Sequence, residues 1–331
     1  MGYHSKWRWE RFLFLFLIAE LVVFAFMAPG FFDLNNLLYS VNDFAFIALA
    51  AIPMTFVIIA GGIDVSVGSV MGLTSIVTGV LWKNGIDLPF AIMIALICAM
   101  LAGALNGLII IMTGVQPLVI TLGGMFLFSG IALVISGGSS ASGYEGISGF
   151  PAQFSDFSNG TTMGIPHSLW LLIVTSLVFG LLLHRTRYGR KVFLVGVNRN
   201  AAFYSGISTK QIILSTYIFS SLGGGMAGIV LTSYFSSARS DLGSESVLHV
   251  ITAVVLGGTS ILGGKGSVIG TLIASFVIGI MQYGLQMSEM TSEETSVVIG
   301  FMLILAILFR NSHIHFFRMD KWLPLKRRHK E

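Results

Sequence analysis

Apolar residues in this chain come in long blocks separated by short polar stretches. Most blocks are close to the roughly 20 residues that a helix needs to cross the hydrocarbon of a bilayer. Taken in order, they predict helices over about 12–28, 43–60, 66–82, 89–112, 117–136, 167–184, 211–235, 247–262, 266–286 and 297–310. Pro29-Gly30 ends the first, Lys83-Asn84-Gly85 the third, and Thr113 to Pro117 forms the turn between the fourth and fifth. The expected fold is an all-α polytopic membrane protein of about ten transmembrane helices, built as a single domain over 1–331.

Two places break the pattern in the same way. Val57 to Gly62 leads to Gly68-Ser69-Val70-Met71-Gly72, and Val254 to Gly258 leads to Gly266-Ser267-Val268-Ile269-Gly270. Each is an apolar run, a glycine pair, a short polar break and a G-S-V-x-G segment opening the next helix. Backbone freed at membrane depth must find partners in protein or water, and duplicated, interrupted helices mark transporters. Gly-rich helix packing is the other source of such a likeness. Small residues four apart (Gly68/Gly72, Gly103/Gly107, Gly224/Gly228, Gly266/Gly270) predict close helix contacts.

Composition agrees with the pattern. Hydrophobic residues make up 54% of the chain and charged residues 10%, with mean hydropathy +0.86, whereas a soluble domain carries about a quarter charged residues. Of the 19 Lys and Arg, only Lys83 and Arg239 fall on the expected outer side, leaving 19 − 2 = 17 inside. This bias predicts an even number of spans with both termini cytoplasmic. Lys6, Arg8 and Arg11 precede an uncleaved first span, and Lys326, Arg327, Arg328 and Lys330 form a cytoplasmic anchor beside the lipid headgroups. The net charge of +4 is spent on topology and is no nucleic-acid signal. Cys98 is the only cysteine, which leaves no disulfide and no thiol metal site. No cofactor is expected.

The longest polar segment, 137–166, contains Glu145 and Asp156 and no basic residue, which suits a periplasmic loop; Tyr144, Phe150 and Phe154 can tuck it onto the membrane face. The segment 185–210 is its opposite. Arg185, Arg187, Arg190, Lys191, Arg199 and Lys210 give it +6 with no acidic residue. Asn198 fits an N-cap, Arg199 to Ser205 make about two turns, and Gly206 supplies the left-handed residue that stops them. Ala201, Ala202 and Ser205 offer a close-packing surface. This is either an ordinary cytoplasmic loop or a docking helix for a cytoplasmic motor.

Polar residues within the apolar blocks are candidates for function because burying them is costly. Asp64, Asn106, Gln116, Thr121 and Gln282 are candidates for a polar path, and Glu20 for a structural tie or a charge partner. Gly223, Gly225 and Gly228 fit G-x-G-x-x-G but sit inside an apolar block, and Lys265 is followed by Gly266 rather than Ser or Thr, so no nucleotide motif is present. No nucleophile triad, metal-ligand helix or intramembrane carboxylate pair is present either. The chain reads as a transport component, not an enzyme.

G-V-N-R-N-A-A-F-Y-S-G-I at 196, G-G-I-D-V-S-V-G-S at 61, and S-A-R-S-D-L-G at 237 with A-V-V-L-G-G-T-S-I-L-G-G-K-G-S-V-I-G-T at 253 resemble ABC-importer permeases of the ribose-permease family over nearly the whole chain. G-Y-E-G-I-S-G-F-P at 143 and Y-F-S-S-A-R-S-D-L-G at 234 are more similar still to the autoinducer-2 import permeases of that family. The resemblance implies a multi-pass protein of the bacterial inner membrane that pairs with a companion permease as a heterodimer. It also implies a cytoplasmic ATP-binding subunit and a periplasmic substrate-binding protein as partners. Arg190, Asn198, Ala201, Ala202, Ser205, Gly206 and Ile207 would then meet the ATPase, and Glu145, Arg239 and Asp241 the binding protein. Ribose or another pentose is the near alternative cargo. A self-sufficient secondary transporter is the distant alternative, with Asp64 and Glu20 as its coupling carboxylates.

Overall fold

A computed structural model of the protein describes residues 3–137 and 146–315. Tyr144, Glu145 and the basic C-terminal run lie outside the described residues. The chain is mostly helical: α1 Tyr3–Met27, α2 Leu34–Ile59, α3 Val67–Lys83, α4 Leu88–Thr113, α5 Pro117–Ile135, α6 Ala152–Asn159, α7 His167–Arg185, α8 Arg187–Val197, α9 Arg199–Tyr204, α10 Thr209–Phe235, α11 Ser246–Leu256, α12 Val268–Met287 and α13 Ser292–His315. Among the described residues, six helices are long and apolar enough to cross a membrane: α2, α4, α5, α7, α10 and α12. α3 and α11 are shorter apolar helices.

The core follows from which apolar helices are covered. α2 is buried along nearly its whole length, and α10 packs against α2, α3 and α4. α12 lies against α1 and α2, with Phe44 seated on Gly279 and Phe24 on Gly284. α5 and α7 keep apolar side chains such as Phe126 and Leu177 exposed on their outer faces. That is the pattern expected where the solvent is lipid or a neighbouring subunit, because no free energy is gained by hiding them from hydrocarbon.

Several elements depart from the pattern-based reading. The helix expected over 247–262 ends at Leu256, because Gly258 takes φ +95° and the amide of Thr259 turns back to Val254 O at 3.2 Å. The basic stretch holds a second helix, α8. Thr186 leaves the helical region and its side chain accepts the Gly189 amide at 3.2 Å, so α7 stops and α8 starts at one residue. Within 146–166, the segment expected to be a loop holds α6 and a two-stranded β1 (Thr161–Thr162) and β2 (Ile165–Pro166) hairpin. Phe154 is buried and Phe150 packs on it with centroids 4.8 Å apart, while Phe150 also stacks on Trp82. Ser233 Oγ donates to Phe154 O and accepts from Ser158 N, which fixes α6 to the end of α10.

Glu20 is buried on α1 and neither carboxylate oxygen has a hydrogen-bond partner among the described residues. At the start of α1, Trp9 Nε1 donates to Leu256 O at 2.8 Å, and Ser267 Oγ donates to the Glu10 carboxylate. The first helix therefore closes over the segment that joins α11 to α12.

Candidate functional site

The two interruptions are built alike. At the end of α2, Gly61 takes φ +86° and the Gly62 amide donates to Val57 O. At the end of α11, Gly258 takes φ +95° and the Thr259 amide donates to Val254 O. Both are Schellman ends, in which a residue free to adopt positive φ lets the chain satisfy the last carbonyls and leave the helix. Val57 and Val254 therefore occupy the same place, as do Gly61 and Gly258. The second break is the longer, since α3 resumes at Val67 and α12 at Val268.

Residues 60–66 are held by side chains from three other helices. Asp64 is wholly buried. Its Oδ1 accepts from the Ser66 amide at 3.0 Å and the Ser66 hydroxyl at 2.6 Å, and its Oδ2 accepts from Ser220 on α10 at 2.7 Å. Asn106 on α4 donates through Nδ2 to Ser66 Oγ at 2.9 Å. Thr121 on α5 donates to Ile63 O at 3.1 Å and accepts from Val65 N at 3.4 Å. The non-helical backbone is supported because protein groups replace the missing helix bonds. Two hydroxyls beside the network, Tyr217 and Ser221 on α10, are buried with no hydrogen-bond partner among the described residues.

Three of the five path candidates, Asp64, Asn106 and Thr121, thus meet at one point. Gln116 does not join them; it stands exposed just before α5. Gln282 is half-buried on α12, outside this group of bonds. Ser220, Tyr217 and Ser221 were missed, because hydroxyls on an apolar helix look like ordinary packing in the sequence, and Ser66 was missed because a serine in a polar break looks like turn chemistry.

The basic segment is a two-helix unit. Asn198 leaves the helical region at φ −160°, and its Oδ1 accepts the Ala201 amide at 2.9 Å, which starts α9. Gly206 then takes φ +80° and closes the unit. Arg190, Asn198, Ala201, Ser205 and Gly206 are exposed. Ala202 is not; it is buried with Val192, Val195 and Ile213, and Ile207 packs on the same cluster. The outward surface of α9 is completed instead by Phe203 and Tyr204, whose rings meet edge to face and which are 63% and 87% exposed. An aromatic pair in a short polar helix was the available signal for them.

This unit bears directly on both interruptions. Gly196 on α8 lies so close to Ile59 O and the Gly264 amide that an added Cβ would collide with both. The Gly264 amide itself donates to Ile59 O at 2.8 Å. The end of α2, the loop after α11 and the end of α8 therefore share one backbone junction.

Ser236 to Glu245, expected to be a loop, packs onto the bundle. Ala238 forms an antiparallel bridge with Ile147 and packs over Gly79; the Ser240 carbonyl lies against Gly72 and the Gly243 carbonyl against Gly68. Six residues of chain, 238–243, thus pass eleven positions of α3 (79 − 68 = 11), about 16 Å at 1.5 Å per residue. Six helical residues rise only about 8 Å, so the stretch is non-helical over that distance. Gly68 and Gly72, which read as a helix-packing pair, form the floor under this segment of turns. Arg239 donates from Nε to Asp241 Oδ1 at 3.0 Å and from the NH2 nitrogen to Oδ2 at 2.5 Å. Glu145, expected beside them, lies outside the described residues.

The profile of the branched-chain amino acid transport system / permease component family matches residues 36–307. Proteins named autoinducer 2 import system permease protein LsrD from Escherichia coli (strain K12) and from Shigella flexneri are each 44% identical to this chain over 318 residues, covering 96% of this chain and 96% of each relative. No solved structure matches the chain.

Proposed function

The chain belongs to the branched-chain amino acid transport system / permease component family, and from that premise we propose that it is the membrane subunit of an ABC importer that carries autoinducer-2 into the cytoplasm. It sits in the bacterial inner membrane as about ten transmembrane segments with both termini cytoplasmic. α1, α13 and the shorter α3 and α11 are crossings alongside the six long apolar helices. A companion permease completes the path as a heterodimer. A periplasmic binding protein delivers the cargo, and a separate ATP-binding subunit supplies the driving force. The likeness to LsrD over almost the full length of both chains supports the cargo.

The observation that carries the motor-driven reading is the backbone junction of Ile59, Gly196 and Gly264. The ATP-binding subunit grips the exposed face of α9 at Ala201, Phe203, Tyr204 and Ser205. Because α8 and α9 share buried residues, the two helices move as one piece. Gly196 leaves no slack between that piece and the ends of α2 and α11, so its displacement reaches both interruptions. Asp64, Asn106 and Thr121 hold the first interruption in one of its arrangements. Small shifts are passed on whole in this way because a packed contact cannot deform gradually.

The test is purification of the tagged chain from its native membrane in mild detergent, with partners identified by mass spectrometry. A second permease and an ATP-binding subunit are expected, and vesicles holding the recovered complex and its binding protein should accumulate autoinducer-2 only with ATP inside the motor compartment. Repeated recovery of the folded chain alone would overturn the proposal in favour of a self-sufficient transporter.

A further inference from the structure

The two interruptions end their helices alike but complete them from different sources. In α2 the last four carbonyls, Phe56 to Ile59, accept in turn from the amides of Ala60, Gly62, Gly61 and, from far along the chain, Gly264. In α11 the last four, Ala253 to Leu256, accept from the amides of Gly257, Thr259, Gly258 and, from α1, the indole Nε1 of Trp9 at 2.8 Å. Ile59 and Leu256 are matching positions, each two residues after its matched valine. The final carbonyl of the first break thus belongs to the junction with α8, and the final carbonyl of the second is held by α1. Gly258 makes room for the indole, since an added Cβ there would meet Trp9 Cδ1 at 2.9 Å.

The same turn of α1 holds the far end of the loop. Ser267 caps α12: its Oγ accepts the Gly270 amide at 3.2 Å and donates to the Glu10 carboxylate. Donation to Glu10 fixes the hydroxyl with a lone pair toward the amide, and a carboxylate beside a helix N-terminus is favoured by the helix dipole. Two neighbouring side chains therefore close the loop at 256 and at 267, while its middle is tied to the end of α2 through the Gly264 amide. The loop itself is a poor transmitter. Gly257, Gly258, Gly263, Gly264 and Gly266 make five of the eleven residues of 257–267, and glycine dihedrals turn freely.

We propose that Trp9 and Glu10 are positioning residues for transport: they fix both ends of the 257–267 loop, so that α1, α11 and α12 follow the junction as one body. The inference rests on the importer reading and adds to it the route by which a displacement at Gly264 reaches α12. With its ends free, a glycine-rich loop absorbs such a displacement in its own dihedrals. With its ends tied to one turn of α1, which also packs along α12, it passes the displacement on.

Trp9→Phe keeps a ring on Gly258 and removes the N–H. Glu10→Ala removes the acceptor for Ser267, and Glu10→Gln restores one. In the assembled importer reconstituted in vesicles, Trp9→Phe and Glu10→Ala should each lower autoinducer-2 imported per ATP about fivefold, while the ATP-binding subunit still co-purifies and hydrolyses ATP. Glu10→Gln should stay within about twofold of the parent. Hydrogen exchange on the same complexes in detergent, read by mass, should quicken about fivefold in 257–267 for Trp9→Phe and Glu10→Ala, with 60–66 unchanged. Unchanged exchange in 257–267, or equal quickening in both segments, would overturn the proposal. So would import per ATP that holds while 257–267 loosens. Should the chain recruit no ATP-binding subunit, the importer reading falls, and exchange in 257–267 of the chain alone still upholds or overturns the clamp.

Discussion

Asp64 offers the most direct test of how the first interruption is held. Replacing it with alanine removes the acceptor for three donors: the Ser66 amide, the Ser66 hydroxyl and the Ser220 hydroxyl. Each buried donor left unpaired costs about 1–3 kcal/mol. The Ser220 hydroxyl can swing to a carbonyl one turn back on α10, as serines on helices do. The Ser66 amide has no such freedom, and the Ser66 hydroxyl is already an acceptor for Asn106. Two unrelieved donors plus the small cavity give a loss of about 3–6 kcal/mol. Asp64→Asn is the control. Its remaining oxygen keeps both Ser66 bonds, and its amide nitrogen faces a hydroxyl that can turn to accept, so the loss is about 1 kcal/mol or less. Thermal unfolding of the purified complex in one detergent, compared at a fixed scan rate because membrane proteins unfold irreversibly, should therefore rank the parent and Asp64→Asn close together, with Asp64→Ala several degrees lower. Superimposable unfolding of all three would refute the reasoning, since the carboxylate would then bear no structural load. Uptake by Asp64→Asn should remain ATP-dependent; loss of ATP dependence would instead mark Asp64 as an ion-coupling group.

Three further outcomes are expected. Gly196→Val should leave the complex assembled and hydrolysing ATP while import per ATP falls at least tenfold, because the new side chain drives apart Ile59 and Gly264; normal import would show that the junction transmits nothing. Tyr204→Asp should abolish co-purification of the ATP-binding subunit without lowering the unfolding temperature, as Tyr204 is almost wholly exposed, whereas Ala202→Glu should lower that temperature because Ala202 is buried. Glu20→Leu should raise the unfolding temperature, since a buried carboxylate with no partner among the described residues gives way to an apolar side chain of similar length; a lower temperature would reveal a partner in another subunit.

The elements that were legible in the sequence are those written in local signals. The apolar blocks, the cap at Asn198, the stop at Gly206 and the glycine pairs at 61 and 257 each depend on residues within one or two turns. The places that could not be read depend on what packs from far along the chain. Ser220 is 156 positions from Asp64 and Asn106 is 40 from Ser66, so no window of sequence contains the network. Ala202 and Ala201 are indistinguishable as residues; only the direction in which α9 lies on α8 and α10 buries one and exposes the other. Gly68 and Gly72 specify a smooth helix face, and the sequence is silent on whether a helix or a non-helical chain will use it.

That last ambiguity has a physical resolution. An 11-residue α11 rises about 16 Å, too little to cross roughly 30 Å of hydrocarbon. The non-helical stretch 238–243 runs along the glycine face of α3, where Gly72 and Gly68 let the Ser240 and Gly243 carbonyls approach the helix backbone and Gly79 receives the Ala238 side chain. The 238–256 segment is therefore composite: irregular chain in its first half and helix in its second, followed by a loop whose Gly264 amide meets the end of α2. Irregular chain is tolerated there only where protein or water receives its polar groups, and the half of this segment that is not helical is the half that carries Arg239 and Asp241.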